Sequence, residues 1–237
     1  MPIPEKDKTL QRLSAKDIIY RTVCEWIITG VMQPGEKILD AELAKYFDVS
    51  RTPVREALQI LENQKLICVM PGRATVVADL DLDDIEKCYR PLAEIQGLAA
   101  ELACSRLTEG DLLELEQTYA SFADACRDDD AAAAIASDNR FHEIILRMAG
   151  NEYIEDFSRL MTLHIQRIKY HYFHSDQMRM ASSAEHGEIL QAIRTRDGEL
   201  AKRITRSHWL RAMDDSMRDT AAGLRPGETA DGASFGY

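Results

Sequence analysis

Apolar residues recur three and four positions apart in the first helical segment of the chain, residues 14–30. This spacing is the period of a helix that buries one face. Ser14 has the position of a helix cap, with Asp17 at capping-box spacing, and Gly30 can end the helix in a left-handed conformation. The apolar positions are Ile18, Ile19, Val23, Trp26 and Ile27.

Two shorter helical patterns follow after QPGEKI, which is interpreted as a turn because it contains Pro34-Gly35. The stretch DAELAKYF predicts a second helix with Asp40 as its N-cap. Ser50 is expected to cap a third helix, RTPVREALQILENQ. Pro53 falls in the first turn of that helix, where a missing N–H group costs nothing.

Two β-rich runs come next in the chain. LICV and ATVVA flank the turn residues Pro71-Gly72, which predicts a β-hairpin. Three helices followed by a hairpin wing make a winged helix-turn-helix. We assign this domain to residues 1–78.

The pattern from residue 79 to about residue 220 is helical, with short breaks. Pro91 is expected to kink or restart the first of these helices. Ser182 and Glu185 have capping-box spacing and are expected to open a later helix. Residues 79–221 are therefore predicted to form an antiparallel all-α bundle of six or seven helices, which makes the protein mainly α. Residues 222–237 lack periodicity and are predicted to be a disordered tail.

Charge is distributed unevenly between these two parts of the chain. Residues 1–78 contain 11 Lys and Arg against 10 Asp and Glu, whereas the remainder contains 18 against 30. The acidic part should repel nucleic acid, and the nearly neutral part should not. The asymmetry predicts two domains with different roles.

Composition favours a cytoplasmic protein with no membrane partner. No apolar run approaches the roughly 18 residues that a membrane span needs, and the charged N-terminus lacks the apolar core of a signal peptide. The five cysteines form no Cys-x-x-Cys pair and are expected to be reduced thiols.

The third predicted helix carries clustered polar residues at its N-terminal end. Arg51, Thr52 and Arg55 lie away from its apolar face, and such residues meet base edges in the major groove when the helix is a recognition helix. Arginine suits the paired acceptors of guanine, and the helix start at Ser50 suits a phosphate. Arg73, at the wing tip, would touch the backbone or the minor groove. On spacing alone, the alternative is that the helix arginines are ordinary solvated charges.

A carboxylate and an imidazole interrupt an otherwise apolar helical pattern at Asp138 and His142. Residues four apart share one helix face, so this pair points to the inward side. His186 and His208 occupy turns of later helices that are also predicted to face inward. One carboxylate and three imidazoles are a common ligand set for a divalent ion such as zinc or nickel, which makes these four residues a candidate metal site.

Two alternatives to this metal site stay open at the level of spacing. Any one of these histidines, taken alone, is more commonly an ordinary core or surface residue. His171 and His174, in the segment HYFH, are rival ligands three residues apart.

The segment PGEKILDAELAKYFDVSRTPVREALQILENQKLI closely resembles the DNA-binding domain of the GntR family of bacterial transcription regulators. The resemblance covers roughly residues 14–78, and its most specific part is VSRTPVREAL. It implies that Arg51, Thr52 and Arg55 contact operator DNA, together with the wing near Gly72 and Arg73.

Two positions depart from that family pattern. Some relatives carry an arginine on the second helix where this chain has Ala41, which removes one expected contact with the DNA backbone. Lys65 takes a position usually held by glycine, which should cost a little capping energy and no function.

The larger part of the chain resembles the helical effector-binding domain of the FadR-type GntR regulators, the FCD domain, over about residues 82–215. The resemblance is carried by YRPLAEIQGLAAELA, DNRFHEII, EHGEILQAI and a closing histidine. The metal ligands of that family are an Asp and three His in this order, which implies Asp138, His142, His186 and His208. Arg90 matches a family pattern beside the pocket and is implied as the partner of an effector carboxylate.

These observations predict a ligand-responsive bacterial transcription regulator rather than an enzyme. A homodimer would bind double-stranded operator DNA, because two-fold protein symmetry matches an inverted repeat. A small organic acid would bind in the metal-containing pocket and change the affinity for DNA.

Two other hypotheses are kept. The first is a metal-dependent helical-bundle enzyme acting on a small substrate, although the Glu-x-x-His pattern of di-iron bundles does not occur in the sequence. The second is that the metal itself is the signal.

Overall fold

The computed structural model of the chain describes residues 14–69, 74–79, 82–172 and 176–221. The chain divides into two compact units, with the division between Asp79 and Leu80. The predicted fold class, a winged helix-turn-helix followed by a helical bundle, is confirmed. The predicted tail, residues 222–237, lies outside the described residues.

The first unit contains three helices and a small antiparallel sheet. Its helices are α1 (Ala15–Ile28), α2 (Asp40–Tyr46) and α3 (Arg51–Asn63), and its strands are β1 (Lys37–Ile38), β2 (Ile67–Val69) and β3 (Thr75–Val77). The strand order is β1-β3-β2. Val23, Ile27, Val54 and Leu61 are buried and hold the helices together.

The strand β1 was not predicted, because Pro34-Gly35 indicates a turn and the strand that follows it has only two residues. Lys37 lies opposite Val76, and Ile38 lies opposite Thr75. The strand β1 therefore extends the hairpin to a three-stranded sheet, and β1 itself lies between α1 and α2 in the chain.

The helix caps in this unit were predicted with mixed success. The Ser14–Asp17 capping box is present, with the Ser14 hydroxyl accepting from the backbone N–H of Asp17 at 3.2 Å. Asp40 is not a cap: α2 begins at Asp40 itself, and its N-cap, Leu39, makes no side-chain capping bond. Lys65 has a φ of 59°, the left-handed conformation that glycine adopts most readily.

The second unit is a helical bundle. Its described helices are α4 (Leu82–Arg106), α5 (Glu109–Arg127), α6 (Ala131–Ala149), α7 (Glu152–Tyr172), α8 (Asp176–Arg194) and α9 (Gly198–Ala221). The described part of this unit thus contains six helices, which agrees with the predicted six or seven. None of the described helices is long and apolar enough to cross a membrane.

Two details of the predicted bundle are wrong. The helix α4 continues through Pro91 without a break, so the alternative that this proline restarts the helix is wrong, whereas the alternative that it kinks the helix stays a prediction. The helix α8 begins at Asp176, which places Ser182 and Glu185 inside it rather than at its cap. Both residues have partners on α9 instead.

The two larger apolar clusters among the described residues form most of the core of the bundle. One contains Phe141, Ile144 and Ile189, and the other contains Tyr89 and Trp209. The close approach of α4 and α9 depends on Gly97, where an added Cβ would lie 3.1 Å from the carbonyl oxygen of Lys202. The four candidate metal ligands lie where these two clusters meet.

Candidate functional site

The structure brings the four predicted metal ligands together. Asp138 and His142 project from α6, His186 from α8 and His208 from α9. All four residues are buried, none more than 4% exposed. One ligand atom of each lies within 4.8 Å of those of the other three.

The shortest distances inside this group are close to the spacing of atoms around one small cation. The Nε2 atoms of His142 and His186 are 3.2 Å apart. Oδ1 of Asp138 lies 3.5 Å from Nε2 of His186 and 4.0 Å from Nε2 of His142. Zinc–nitrogen bonds of about 2.0–2.1 Å place neighbouring ligand atoms about 3.3 Å apart in a tetrahedron and about 2.9 Å apart at a right angle. The donor types therefore suit a borderline divalent ion, with two of the distances close to these values and the 4.0 Å contact longer.

Aromatic packing orients two of the imidazoles. The ring of His186 stacks on Phe141, with centroids 4.4 Å apart and planes 14° from parallel. The ring of His142 packs against Trp209 at 4.6 Å. Because these two aromatic residues belong to the two apolar clusters, the histidines are held where the clusters meet.

A carboxylate orients the third imidazole. Oε2 of Glu185 lies 2.7 Å from Nδ1 of His208. A neutral imidazole that donates from Nδ1 keeps a lone pair on Nε2, and that atom of His208 is buried and has no hydrogen-bond partner among the described residues. An orphaned buried acceptor costs free energy, and a cation at the centre of the group would remove this cost.

Glu185 is ionised at neutral pH. Burial alone would raise its pKa, but hydrogen bonds from His208 and Arg211 outweigh burial and hold the pKa at about 2. Sequence reasoning assigned Glu185 to a helix cap and did not identify Arg211 at all. The contacts join residues 23 and 26 positions apart on different helices, and no local spacing signals such a pair.

A cavity of about 520 Å³ adjoins the four-residue group, because His142 and Trp209 belong to its wall. Its lining is partly apolar and partly charged. The remaining lining residues are Gln96, Asn139, Glu143, Leu146, Arg147, Glu155, Arg159, Thr162, Leu163 and Gln166. The Oε1 atom of Gln96 is buried and has no hydrogen-bond partner among the described residues, so it can accept a hydrogen bond from a ligand.

The structure does not place Arg90 at this cavity. Arg90 is exposed, forms an ion pair with Glu86, and is not among the lining residues. Two other arginines line the cavity. Arg147 is held by Glu114 at 2.6 Å, whereas the ion pair of Arg159 within the described residues is a 3.8 Å contact with Asp156. Arg159 is thus the cationic side chain better able to turn to a ligand, and nothing in the sequence distinguished it from other helix arginines.

The predicted DNA-binding residues of α3 share one exposed end of the helix. Ser50, Arg51, Thr52 and Arg55 are all exposed. Gly72 and Arg73, the predicted wing contacts, lie outside the described residues, as does His174, one of the rival metal ligands. The side chain of the other rival, His171, is likewise outside the described part of the structure.

Asp40 joins the two arginines of the recognition helix. Its carboxylate accepts from Nε and Nη2 of Arg51 and from Nε of Arg55, with the two Nε contacts at 3.2 and 2.9 Å. Hydrogen bonds from Arg51 and then from Arg55 hold the pKa of Asp40 below its usual range. Sequence reasoning missed this role because it assigned Asp40 to the cap of α2.

Comparison with protein families agrees with this architecture. Residues 88–211 match the FCD domain, and residues 10–77 match the bacterial regulatory proteins of the gntR family. The two matches together cover both units of the structure.

Individual relatives extend over most of the chain. The uncharacterized HTH-type transcriptional regulator YdhC of Bacillus subtilis is 25% identical over 80% of this chain and 85% of its own length. The HTH-type transcriptional repressor RspR of Escherichia coli is 26% identical over 84% of this chain and 87% of its own.

Solved structures share the fold at lower identity. Escherichia coli McbR/YncC superimposes with a TM-score of 0.70 at 20% identity, covering 90% of this chain and 98% of that one. A GntR regulator from Rhodococcus sp. RHA1 gives 0.72 at 18% identity, covering 86% and 97%. With a winged helix-turn-helix before an FCD domain, the chain belongs to the GntR family of bacterial transcription regulators.

Proposed function

We propose that this regulator binds a divalent cation through Asp138, His142, His186 and His208, and that a small organic acid binds beside it and alters operator affinity. The observation that carries the proposal is the position of the four-residue group. It is buried, its ligand atoms lie within 4.8 Å of one another, and one of its histidines lines a cavity.

The charge of the group supports an anionic effector. One aspartate and three neutral histidines around a zinc or nickel ion keep a net charge near +1. When bound, such an ion supplies a positive centre and open coordination positions for a carboxylate. The charge near His142 would then attract a small organic acid into the cavity.

The other cavity residues support recognition of the rest of the molecule. Arg159 can pair with a carboxylate in bidentate fashion, and Gln96 can accept a hydrogen bond from the effector. Leu163 and Trp209 provide apolar wall. The volume of about 520 Å³ falls within the roughly 300–1,000 Å³ of small-molecule sites.

DNA recognition is proposed for the exposed end of α3. Asp40 engages Nε and Nη2 of Arg51 and Nε of Arg55, which leaves Nη1 of Arg51 and the Nη groups of Arg55 to reach guanine O6 and N7. Thr52 and the helix start at Ser50 are proposed to contact the base edges and a phosphate, and Gly72 and Arg73 of the wing to contact the adjacent backbone.

We propose a homodimer that represses transcription until the effector binds. Two recognition helices related by two-fold symmetry would read an inverted repeat. Repression is supported by the similarity to RspR, which is described as a repressor. The effector changes DNA affinity only if it binds one arrangement of the dimer more tightly than the other.

The test begins with duplexes selected from a random-sequence DNA library by the purified, metal-loaded protein. The affinity for the selected duplex is then measured with a panel of small carboxylates and after removal of metal. An organic acid that changes the affinity only with metal present supports the proposal. A change on metal removal alone, with no response to any acid, would instead make the metal the signal. Turnover of an acid would favour the enzyme hypothesis. Membership of a family of transcription regulators does not favour that hypothesis.

A further inference from the structure

We infer that Glu185 and Arg211 are positioning residues for the proposed metal ligand His208. Arg211 holds the carboxylate of Glu185, and Glu185 holds the imidazole of His208 with its Nε2 atom toward the cation. The inference rests on the proposed metal site and names two residues outside the ligand set.

The contact between Glu185 and His208 defines the tautomer of the imidazole. The 2.7 Å separation of Oε2 and Nδ1 is a charge-assisted hydrogen bond in which the ring donates. The proton therefore resides on Nδ1, and the lone pair of His208 resides on Nε2, the atom on the opposite side of the ring. Carboxylate partners of this kind orient metal-binding histidines and raise their basicity.

Arg211 fixes the carboxylate of Glu185 through two parallel bonds. Its Nε donates to Oε1 at 2.6 Å, and its Nη2 donates to Oε2 at 2.6 Å. Nη2 also donates to the hydroxyl of Ser182 at 2.9 Å, and Nη1 donates to Asp215. The guanidinium is thus held by one residue of its own helix and two residues of α8, so it cannot turn without breaking several bonds.

The charges of the pair explain why two residues are used. A buried carboxylate alone beside the ligand group would subtract one unit of charge from the site. Arg211 balances Glu185. Arg218 pairs with Asp215, the second carboxylate on Arg211, so these ion pairs leave the charge of the ligand set near +1. A lysine would keep the charge but lose the planar fork that grips both oxygens.

The experiment compares Glu185→Gln and Arg211→Lys with the wild-type full-length protein. The control is Glu94→Gln. This substitution removes the ion pair between Glu94 and Arg206, which lies on α9 like Arg211, and Glu94 makes no described contact with the four ligands. Zinc affinity is measured by competition with a chromophoric chelator. X-ray absorption of the zinc-loaded proteins then counts the coordinated imidazoles.

We expect both positioning variants to bind zinc about 10–100-fold more weakly than the wild type, with fewer ordered imidazoles. The Glu94→Gln control should match the wild type in both measurements. Wild-type zinc affinity and an unchanged imidazole count in both positioning variants would overturn the inference while leaving the metal site intact. A wild-type protein that binds no metal would overturn the proposed function and this inference together.

A second measurement tests the inference on the metal-free protein, and its result for the wild type depends on no variant. Nitrogen-15 spectra of the histidine rings report the tautomer of His208 in the metal-free protein. We expect the Nδ1-protonated form in the wild type and in Glu94→Gln, and loss of that preference in Glu185→Gln. An Nε2-protonated His208 in the wild type would overturn the inference even if the variants bind zinc weakly for other reasons, such as misfolding.

Discussion

The Nε2 atoms of His142 and His186 lie 3.2 Å apart in the interior of the bundle. Two neutral imidazoles at this distance can share at most one N–H···N bond, and two protonated rings would repel each other. A cation held by these residues would accept a lone pair from each imidazole and one from Asp138. If the proposed site is occupied, the stability of the bundle should therefore depend on the metal.

Metal removal is therefore expected to lower thermal stability. A ligand at 1,000 times its dissociation constant stabilises the folded state by about 4 kcal/mol, which corresponds to a shift of roughly 10 °C for a chain of this size. Circular dichroism melts of the wild type with and without chelator measure the shift. His208→Ala is the control and should melt alike in both conditions. Coincident wild-type curves would show that the group holds its shape without a cation.

Substitution of Arg159 is expected to weaken effector binding without loss of metal. Arg159→Met removes a proposed carboxylate partner and should lower affinity for the active acid by about tenfold, or about 1.4 kcal/mol. Titration calorimetry measures this, with metal content assayed in parallel. Arg90→Met is the matched comparison, because Arg90 is exposed and paired with Glu86 outside the cavity. If Arg90→Met lost more affinity for the acid than Arg159→Met, Arg90 would be the carboxylate partner that family resemblance implies.

Asp40 is expected to control DNA specificity. Asp40→Asn removes the carboxylate that aligns Arg51 and Arg55, so the ratio of specific to non-specific affinity should fall about tenfold. Asp48→Asn removes the same charge from an exposed position of the same unit and should leave that ratio unchanged. Fluorescence anisotropy with the selected duplex and a scrambled duplex gives both affinities. If the ratio of specific to non-specific affinity were the same in the two variants, Asp40 would affect DNA binding only through its charge.

The ion pairs of Arg147 predict a pH-dependent contribution to stability. Arg147 lowers the pKa of Glu114, and Thr108 followed by Arg147 lowers that of Asp111. A carboxyl with a depressed folded-state pKa stabilises the fold above its unfolded pKa, and this stability is lost as the pH falls through the folded-state value. Arg147→Met should therefore destabilise the bundle by about 0.5–1 kcal/mol at pH 7, a modest value because the arginine is half exposed.

The difference between Arg147→Met and wild type in urea unfolding should shrink between pH 7 and pH 3. Arg127→Met, which breaks an exposed pair with Asp124, serves as the control and should show little effect at either pH. A difference that persists undiminished at pH 3 would attribute the loss to packing of the arginine stem rather than to its charge.

Local patterns in the sequence predicted the parts of the structure that depend on neighbours in the chain. The Ser14–Asp17 capping box and the shared face of Asp138 and His142 both follow from helical spacing. The roles of Asp40 and Glu185 did not, because each looked like a helix cap and acts instead through arginines 11 to 26 positions away.

The position of the effector arginine was also beyond sequence reasoning. A family pattern identified Arg90 but not the direction of its side chain, which depends on how α4 packs. Arg159 lies at the cavity only because α7 turns that part of its surface toward α6 and α9. Packing between helices, rather than periodicity within one, decides which charged residue meets a ligand.

Metal content of the purified protein tests the central claim most directly. The wild type is compared with His142→Ala and His208→Ala, and with His171→Ala and His174→Ala for the rival ligands, all purified without chelator. We predict close to one zinc or nickel ion per chain in the wild type and in the two rival variants, and loss of metal in His142→Ala and His208→Ala. A wild type without metal, or metal that depends on His171 or His174 instead, would contradict the account.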